Sequence, residues 1–181
     1  MTREELEHAI RAACDAAGDT EVWVFGSQSI LGQHPEAPEA LRFSVEVDVD
    51  PKNRPDKVDA IDGALGEGSQ FHETHGFYVH GVSIETAILP RGWEGRTRAI
   101  RNANTLNRTG HCLEAHDLAA SKLAAWRDKD REFVRILLRE GVIKQNRLVR
   151  LINLLPVNEE RRAILRRWVD GTVRDLTQRR E

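Results

Sequence analysis

Apolar residues near the start of the chain follow a helical rhythm. Leu6, Ala9, Ile10, Ala13, Cys14 and Ala17 recur at i, i+3 and i+4, so one face of a helix is apolar. Thr2 with Glu5 fits a capping box before it, and Gly18 fits its stop. Glu21–Phe25 (EVWVF) reads as a short strand, Gly26-Ser27 as a turn, and Gln28–Gly32 as a short helix. Pro35 and Pro38 predict a loop over 33–41. Residues 42–50 (RFSVEVDVD) then change period. Phe43, Val45, Val47 and Val49 alternate with Ser44, Glu46, Asp48 and Asp50, which predicts a strand with one apolar and one acidic face. Pro51 ends it. Val58, Ile61 and Leu65 predict a helix over 56–65, and residues 77–89 read as one or two strands before a turn at Pro90–Trp93.

From about Glu114 only helices are expected. They cover 117–139 (one or two helices, with Gly141 as cap), 144–154 and 158–177, with Pro156 between the last two. Ile164, Leu165, Trp168, Val169, Val173 and Leu176 make the apolar stripe of the final helix. The fold class is therefore α/β (α+β): an N-terminal mixed-sheet lobe over 1–112 and a C-terminal helical lobe over 113–181.

The chain has 181 residues, 40% hydrophobic and 31% charged, enough for a core without staples. No apolar run approaches the ~20 residues of a membrane span, so no membrane partner is expected. Residues 1–20 are charged throughout, which predicts no signal peptide. Two cysteines, Cys14 and Cys112, make no disulfide framework and point to a cytoplasmic protein with free thiols.

The net charge of −2 hides a split. Residues 1–121 hold 11 Lys+Arg against 20 Asp+Glu, and residues 122–181 hold 16 against 9. The basic half suggests an anionic partner, with Arg147, Arg150, Arg161, Arg162, Arg166 and Arg167 as the track. The rival reading is that these arginines are solvated or paired to acids.

The acidic strand is the main chemical signal. Side chains two apart on a strand share a face, ~7 Å apart, and like charges so placed repel unless something neutralises them. A solvated edge strand would tolerate this. A divalent cation such as Mg²⁺ would use it, since Mg²⁺ takes carboxylate oxygens and substrate phosphates. Gly26-Ser27 adds a turn whose backbone can approach a phosphate. The glycines at 63, 66 and 68 have neither Rossmann spacing nor a P-loop lysine and read as a loop. His72, His75 and His80, with Cys112 and His116, lack the close Cys/His pairing of a zinc site; His72 and His75 are expected in a loop lining the cleft. Trp23, Trp93, Trp126 and Trp168 are expected in the core.

A strand ending in Gly26-Ser27, a short helix, and a strand carrying Glu46-Val-Asp48 together resemble the signature of the DNA polymerase β-type nucleotidyltransferase superfamily. Arg42-Phe-Ser44-Val-Glu46-Val-Asp48 is similar to the second strand of nucleotidyltransferase toxins of the AbiEii/MenT type, with glutamate where aspartate is commoner. Asp117-Leu-Ala-Ala-Ser-Lys122-Leu-Ala-Ala125, followed by Arg127-Asp-Lys129-Asp130, resembles their helical block. The resemblance covers roughly residues 20–140.

It implies transfer of an NMP from an NTP, with Mg²⁺ (or Mn²⁺) on Glu46 and Asp48. Gly26 and Ser27 would hold the β- and γ-phosphates, and Lys122 would reach a phosphate from one face of a continuous helix shared with Lys129. Asp130 would hold Lys122 or Arg127 in place, or contact the nucleotide. A third carboxylate is expected, Glu85 on a later strand or Asp50. Ser44 matches a position that a partner antitoxin can phosphorylate, which would repel NTP. The implied acceptor is RNA, tRNA in particular, and the implied role is the toxin of a toxin–antitoxin pair. The alternatives are transfer to a small-molecule or protein hydroxyl, and a catalytically dead module that binds a nucleotide or partner.

Overall fold

The computed structural model describes residues 1–178. The chain forms two compact units, Met1–Thr86 with Arg96–Glu114, and Ala87–Gly95 with the chain from Ala115 onward. The first unit holds a mixed five-stranded sheet with helices; the second is helical.

In the first unit, α1 (Arg3–Ala17) is capped as its sequence predicts. Thr2 Oγ1 accepts from the Glu5 amide, the Glu5 carboxylate accepts from the Thr2 amide, and Gly18 stops the helix in the left-handed conformation. There follow β1 (Glu21–Phe25), a 3₁₀ segment Ser27–Gly32, the single-turn α2 (Glu39–Arg42), β2 (Glu46–Pro51), α3 (Val58–Leu65), α4 (Gln70–His75), β3 (Tyr78–Gly81), β4 (Arg98–Ile100) and β5 (Thr109–Cys112). The strand order is β3-β2-β1-β5-β4. The β1–β2 and β4–β5 pairs are antiparallel; β1–β5 and β2–β3 are parallel.

The register sorts the sheet into two faces. Val24 pairs with Val49 and Val47 with Val79; these four and Val22 are fully buried. Each contributes about 2 kcal/mol through the apolar area it removes from water. α1 and α3 pack on the sheet. A Cβ on Gly110, the partner of Val22, would lie 2.4 Å from Ile10 Cδ1 of α1, so α1 sits close on this valine face. Residues one position out of phase, among them Trp23, Glu46, Asp48, Tyr78, His80 and His111, project from the opposite face.

Four expectations change in this unit. The strand predicted over 42–50 begins only at Glu46, and Phe43 (87% exposed) and Val45 lie outside it. Alternation runs on upstream, but the ladder does not. β3 starts opposite Glu46, and β1 ends opposite Asp48. The strands predicted over 77–89 reduce to β3, because the chain turns in 3₁₀ at Ile84–Thr86. The glycines at 63, 66 and 68 do not form a simple loop: Gly63 lies inside α3 and Gly66 caps it. His72 and His75 belong to α4, capped by Ser69 and Gly76, with the His75 ring stacked among His8, Phe71 and Phe77. β4 and β5 are too short and too mixed in composition to show a period.

The second unit contains α5 (Ala115–Ala125), α6 (Asp128–Arg139), α7 (Gln145–Ile152) and α8 (Glu159–Gln178). Its core includes Leu118, Leu123, Val134, Leu137, Leu148, Leu155, Leu165 and Val169. Trp126 takes a left-handed φ of 63° between α5 and α6. The helix is therefore broken there, and Lys122 and Lys129 do not share one continuous face. The four tryptophans are half-buried rather than core; Trp126 and Trp168 meet edge to face. Among the described residues no helix is long and apolar enough to cross a membrane.

Asp19 ties the first unit's α1–β1 corner to the end of β2. Its carboxylate accepts from the Thr20, Glu21 and Asn53 amides and from the Asn53 side chain. Burial alone would raise its pKa, but the Asn53 side chain and the backbone donors outweigh it and hold it below the ordinary value. The stabilisation is complete above the unfolded value of about 3.9 and is lost as pH falls through that value to the lower folded one. We expect Asp19→Ala to cost about 2–3 kcal/mol at neutral pH and to flatten the acid limb, as read by urea denaturation from pH 3 to 7.

Candidate active site

β2 places Glu46 and Asp48 on one face because they are two residues apart. The parallel partner β3 sets His80 beside Asp48 and Tyr78 beside Glu46. His80 Nδ1 lies 3.1 Å from Asp48 Oδ1 and 3.2 Å from Glu46 Oε1. One ligand atom from each of the three residues fits within 4.8 Å of the others. Their side chains are 25–41% exposed, open enough to meet a solute. The local field is negative: burial, followed by the charges of Glu46, Glu67 and Asp48, pushes the Tyr78 phenol above its usual pKa.

β1 leads into the same place. Gly26 follows Phe25, the register partner of Asp48, and has a φ of 65°. A Cβ at Gly26 would lie 1.9 Å from Asp48 Oδ2. The carboxylate occupies the space a side chain would fill, and only glycine permits it. Ser29 Oγ donates to the Gly26 carbonyl at 2.9 Å and steadies the turn, while Ser27 stays half-exposed. Ser44 is half-exposed just before β2, where its hydroxyl accepts from the Glu46 amide at 3.1 Å.

Neither expected third carboxylate joins this group. Glu85 lies exposed in the 3₁₀ turn, not on a strand. Asp50 is 4% exposed and accepts from the Ile84 amide; burial raises its pKa. His80 stands with the two acids instead. Grouping it with His72 and His75 as a zinc-like run hides this. The usable signal is its phase, since Tyr78 and His80 alternate with buried Phe77 and Val79.

A second polar cluster lies on the same sheet face. Glu21 accepts from Lys52 at 2.5 Å and lies 2.7 Å from His111 Nε2, and Lys52 sits over the Trp23 ring. The Lys52 and His111 contacts lower the Glu21 pKa. Cys14 and Cys112 are buried, which pushes both thiols up to about 12 and removes them as nucleophiles at neutral pH.

In the second unit, Asp130 is fully buried. It accepts from Lys122 Nζ at 3.2 Å and from Arg127 Nε at 2.6 Å. Burial would raise its pKa; the Arg127 bond and the Lys122 charge reverse this and hold it low. Lys122 Nζ also lies 4.6 Å from the Phe133 ring centroid. Lys129 is exposed.

Residues 4–170 match a family model described as "Nucleotidyltransferase of unknown function (DUF6036)". The chain belongs to this family. No curated protein and no solved structure matches it. The mixed sheet and following helices agree with a nucleotidyltransferase fold. In this DUF6036 member, the glycine turn after β1 and the acid-x-acid strand β2 meet physically at Gly26 and Asp48.

Two outcomes follow from these contacts. Gly26→Ala forces a left-handed alanine against Asp48 and should cost at least about 2 kcal/mol, measured by chemical denaturation. Lys122→Ala leaves the buried Asp130 with one fewer cation and should cost about 3 kcal/mol. Asp130→Asn in that background should recover part of the loss, because it removes the charge left underpaired.

Proposed function

We propose that this DUF6036 member is a divalent-metal-dependent nucleotidyltransferase that moves an NMP from an NTP to an RNA acceptor, tRNA being the implied one. The observation that carries the reading is the Asp48 carboxylate seated against Gly26, with Glu46 on the same face. The carboxylates fit a hard cation by donor chemistry, since two anionic side chains open to solvent present their oxygens together. Glu46 and Asp48 would hold it. A cation bound there supplies charge neutralisation for the attacking and leaving oxygens.

The chain's own groups do the rest. The Gly26 backbone and Ser27 hydroxyl orient the β- and γ-phosphates. The acceptor hydroxyl oxygen forms a bond to the α-phosphorus and loses its proton to solvent, while the α–β phosphoanhydride P–O bond breaks and pyrophosphate leaves with its electron pair. Lys122 enters as a phosphate contact. A structural role alone lowers stability in Lys122→Ala, while a phosphate role also lowers nucleotide affinity in Lys122→Met that is still folded. The toxin role, the antitoxin partner and the regulatory reading of Ser44 rest on the resemblance of the Arg42–Asp48 and Asp117–Asp130 blocks.

An RNA acceptor is supported by the basic balance of residues 122–181. Three arginines of the expected track are engaged within the helical unit. Arg162 donates to the Leu155 carbonyl and pairs with Glu159; Arg166 binds Asn153 and Glu159; Arg161 donates to the Ala124 carbonyl and stacks on Trp126. Those three hold the helical unit together. Exposed Lys144, Arg150, Arg167 and Arg174 carry the proposal instead.

Calorimetry with each non-hydrolysable NTP tests the nucleotide reading. We expect binding that requires a divalent cation and is lost in Asp48→Asn, which keeps the shape and removes the charge. Unchanged binding in Asp48→Asn rejects the site. Filter binding of tRNA at two salt concentrations tests the acceptor. Each phosphate contact contributes a log–log slope of about −0.7 to −0.9, and Arg150→Glu with Arg167→Glu should weaken RNA without changing NTP binding. A flat salt response rejects RNA and leaves a small-molecule or protein hydroxyl as the acceptor.

A further inference from the structure

We infer that His80 is a third metal ligand, and that it shifts the site's preference away from Mg²⁺ toward first-row divalent cations, Mn²⁺ being the probe. This rests on the metal reading of Glu46 and Asp48 given above.

The placement is fixed by the sheet and not by a flexible loop. β2 and β3 run parallel, and Asp48 pairs directly with His80. The ring nitrogen Nδ1 is near both carboxylates at once, 3.1 and 3.2 Å away, and all three donors fall within 4.8 Å of one another. Neither neighbouring acid competes for this position. Asp50 is buried, with one oxygen accepting from the Ile84 amide, and lies outside the group of three donors; Glu85 lies on an exposed turn. The set is therefore two oxygens and one nitrogen, with a ligand charge of −2 when the imidazole is neutral.

That set acts on metal choice in two ways. Mg²⁺ demands oxygen ligands and gains strongly from anionic charge. Replacing a third carboxylate by a neutral imidazole removes one charge and offers a softer donor. First-row divalent cations accept imidazole more readily than Mg²⁺ does, and Mn²⁺, the first of their affinity order, shows the smallest such gain. A histidine in this register position so penalises Mg²⁺ more than Mn²⁺. The competing account is that His80 serves only as a protonated counter-ion between two repelling carboxylates. It would then leave the ligand shell when a cation arrives, and metal preference would not depend on it.

The test uses the full chain without nucleotide. Mn²⁺ is titrated by electron paramagnetic resonance of the free ion, Mg²⁺ is added as competitor, and the bound Mn²⁺ is examined by electron spin-echo modulation for coupling to ¹⁴N. Wild type, His80→Ala and His80→Asp are compared, with circular dichroism confirming that each is folded. We expect nitrogen modulation in wild type and none in either variant. His80→Ala should lose about tenfold in Mn²⁺ affinity with a smaller change for Mg²⁺. His80→Asp should improve Mg²⁺ binding and narrow the Mn²⁺ to Mg²⁺ ratio by about tenfold. Bound Mn²⁺ without nitrogen modulation, or one ratio shared by all three proteins, overturns the role of His80 while leaving the Glu46–Asp48 site standing. Failure of wild type to bind any divalent cation, with or without NTP, overturns both.

Discussion

Two carboxylates held on one strand face, with no intervening residue on that face, repel each other, and the rest of this protein's first unit makes that arrangement stable. The register does the work. Val47 and Val49 must face α1 and α3 to stay dry, so Glu46 and Asp48 must face the other way. A one-residue slip would bury the acids and expose the valines. Apolar burial on one side of β2 thus fixes charge on the other. Gly26 provides the space for Asp48, and His80 faces both acids from the neighbouring strand.

The second unit solves a related problem differently. Asp130 is fully buried and would be costly alone, so Lys122 and Arg127 converge on it. The Asp117–Asp130 block that resembles the toxins therefore has a structural reason of its own in this chain. It fastens the start of α6 to α5 across the break at Trp126. Likewise, Arg161, Arg162 and Arg166 brace helix ends and tryptophan rings. A basic composition is not by itself a nucleic-acid surface; the exposed cations are a smaller set than the sequence count.

Much of this is legible in the sequence itself. The capping box at Thr2, the stop at Gly18, β1 and the acidic alternation are local signals, and local hydrogen bonding and burial produce them. What failed was non-local. Whether alternation at Phe43 and Val45 becomes a strand depends on a partner; β3 reaches only the Val45 carbonyl, through the Tyr78 amide, and β1 stops opposite Asp48. The left-handed turn at Trp126 has no glycine or proline to announce it, so α5 and α6 read as one candidate run. β4 and β5 are held by their neighbours rather than by their own pattern. His80 was visible as a residue but not as a member of the acid pair. Its role comes from a parallel pairing 32 residues along the chain.

The central claim is that this face of the sheet supports transfer of a nucleotidyl group. The most direct measurement follows the two ends of the triphosphate. Protein, divalent cation and total RNA are incubated with NTP labelled at the α-phosphate, and in parallel with NTP labelled at the γ-phosphate. The account predicts α-label joined to the acceptor and γ-label released as pyrophosphate, both absent when Glu46 and Asp48 are replaced by their amides. Transfer of the γ-label to the acceptor, or α-label transfer that survives loss of both carboxylates, would contradict it.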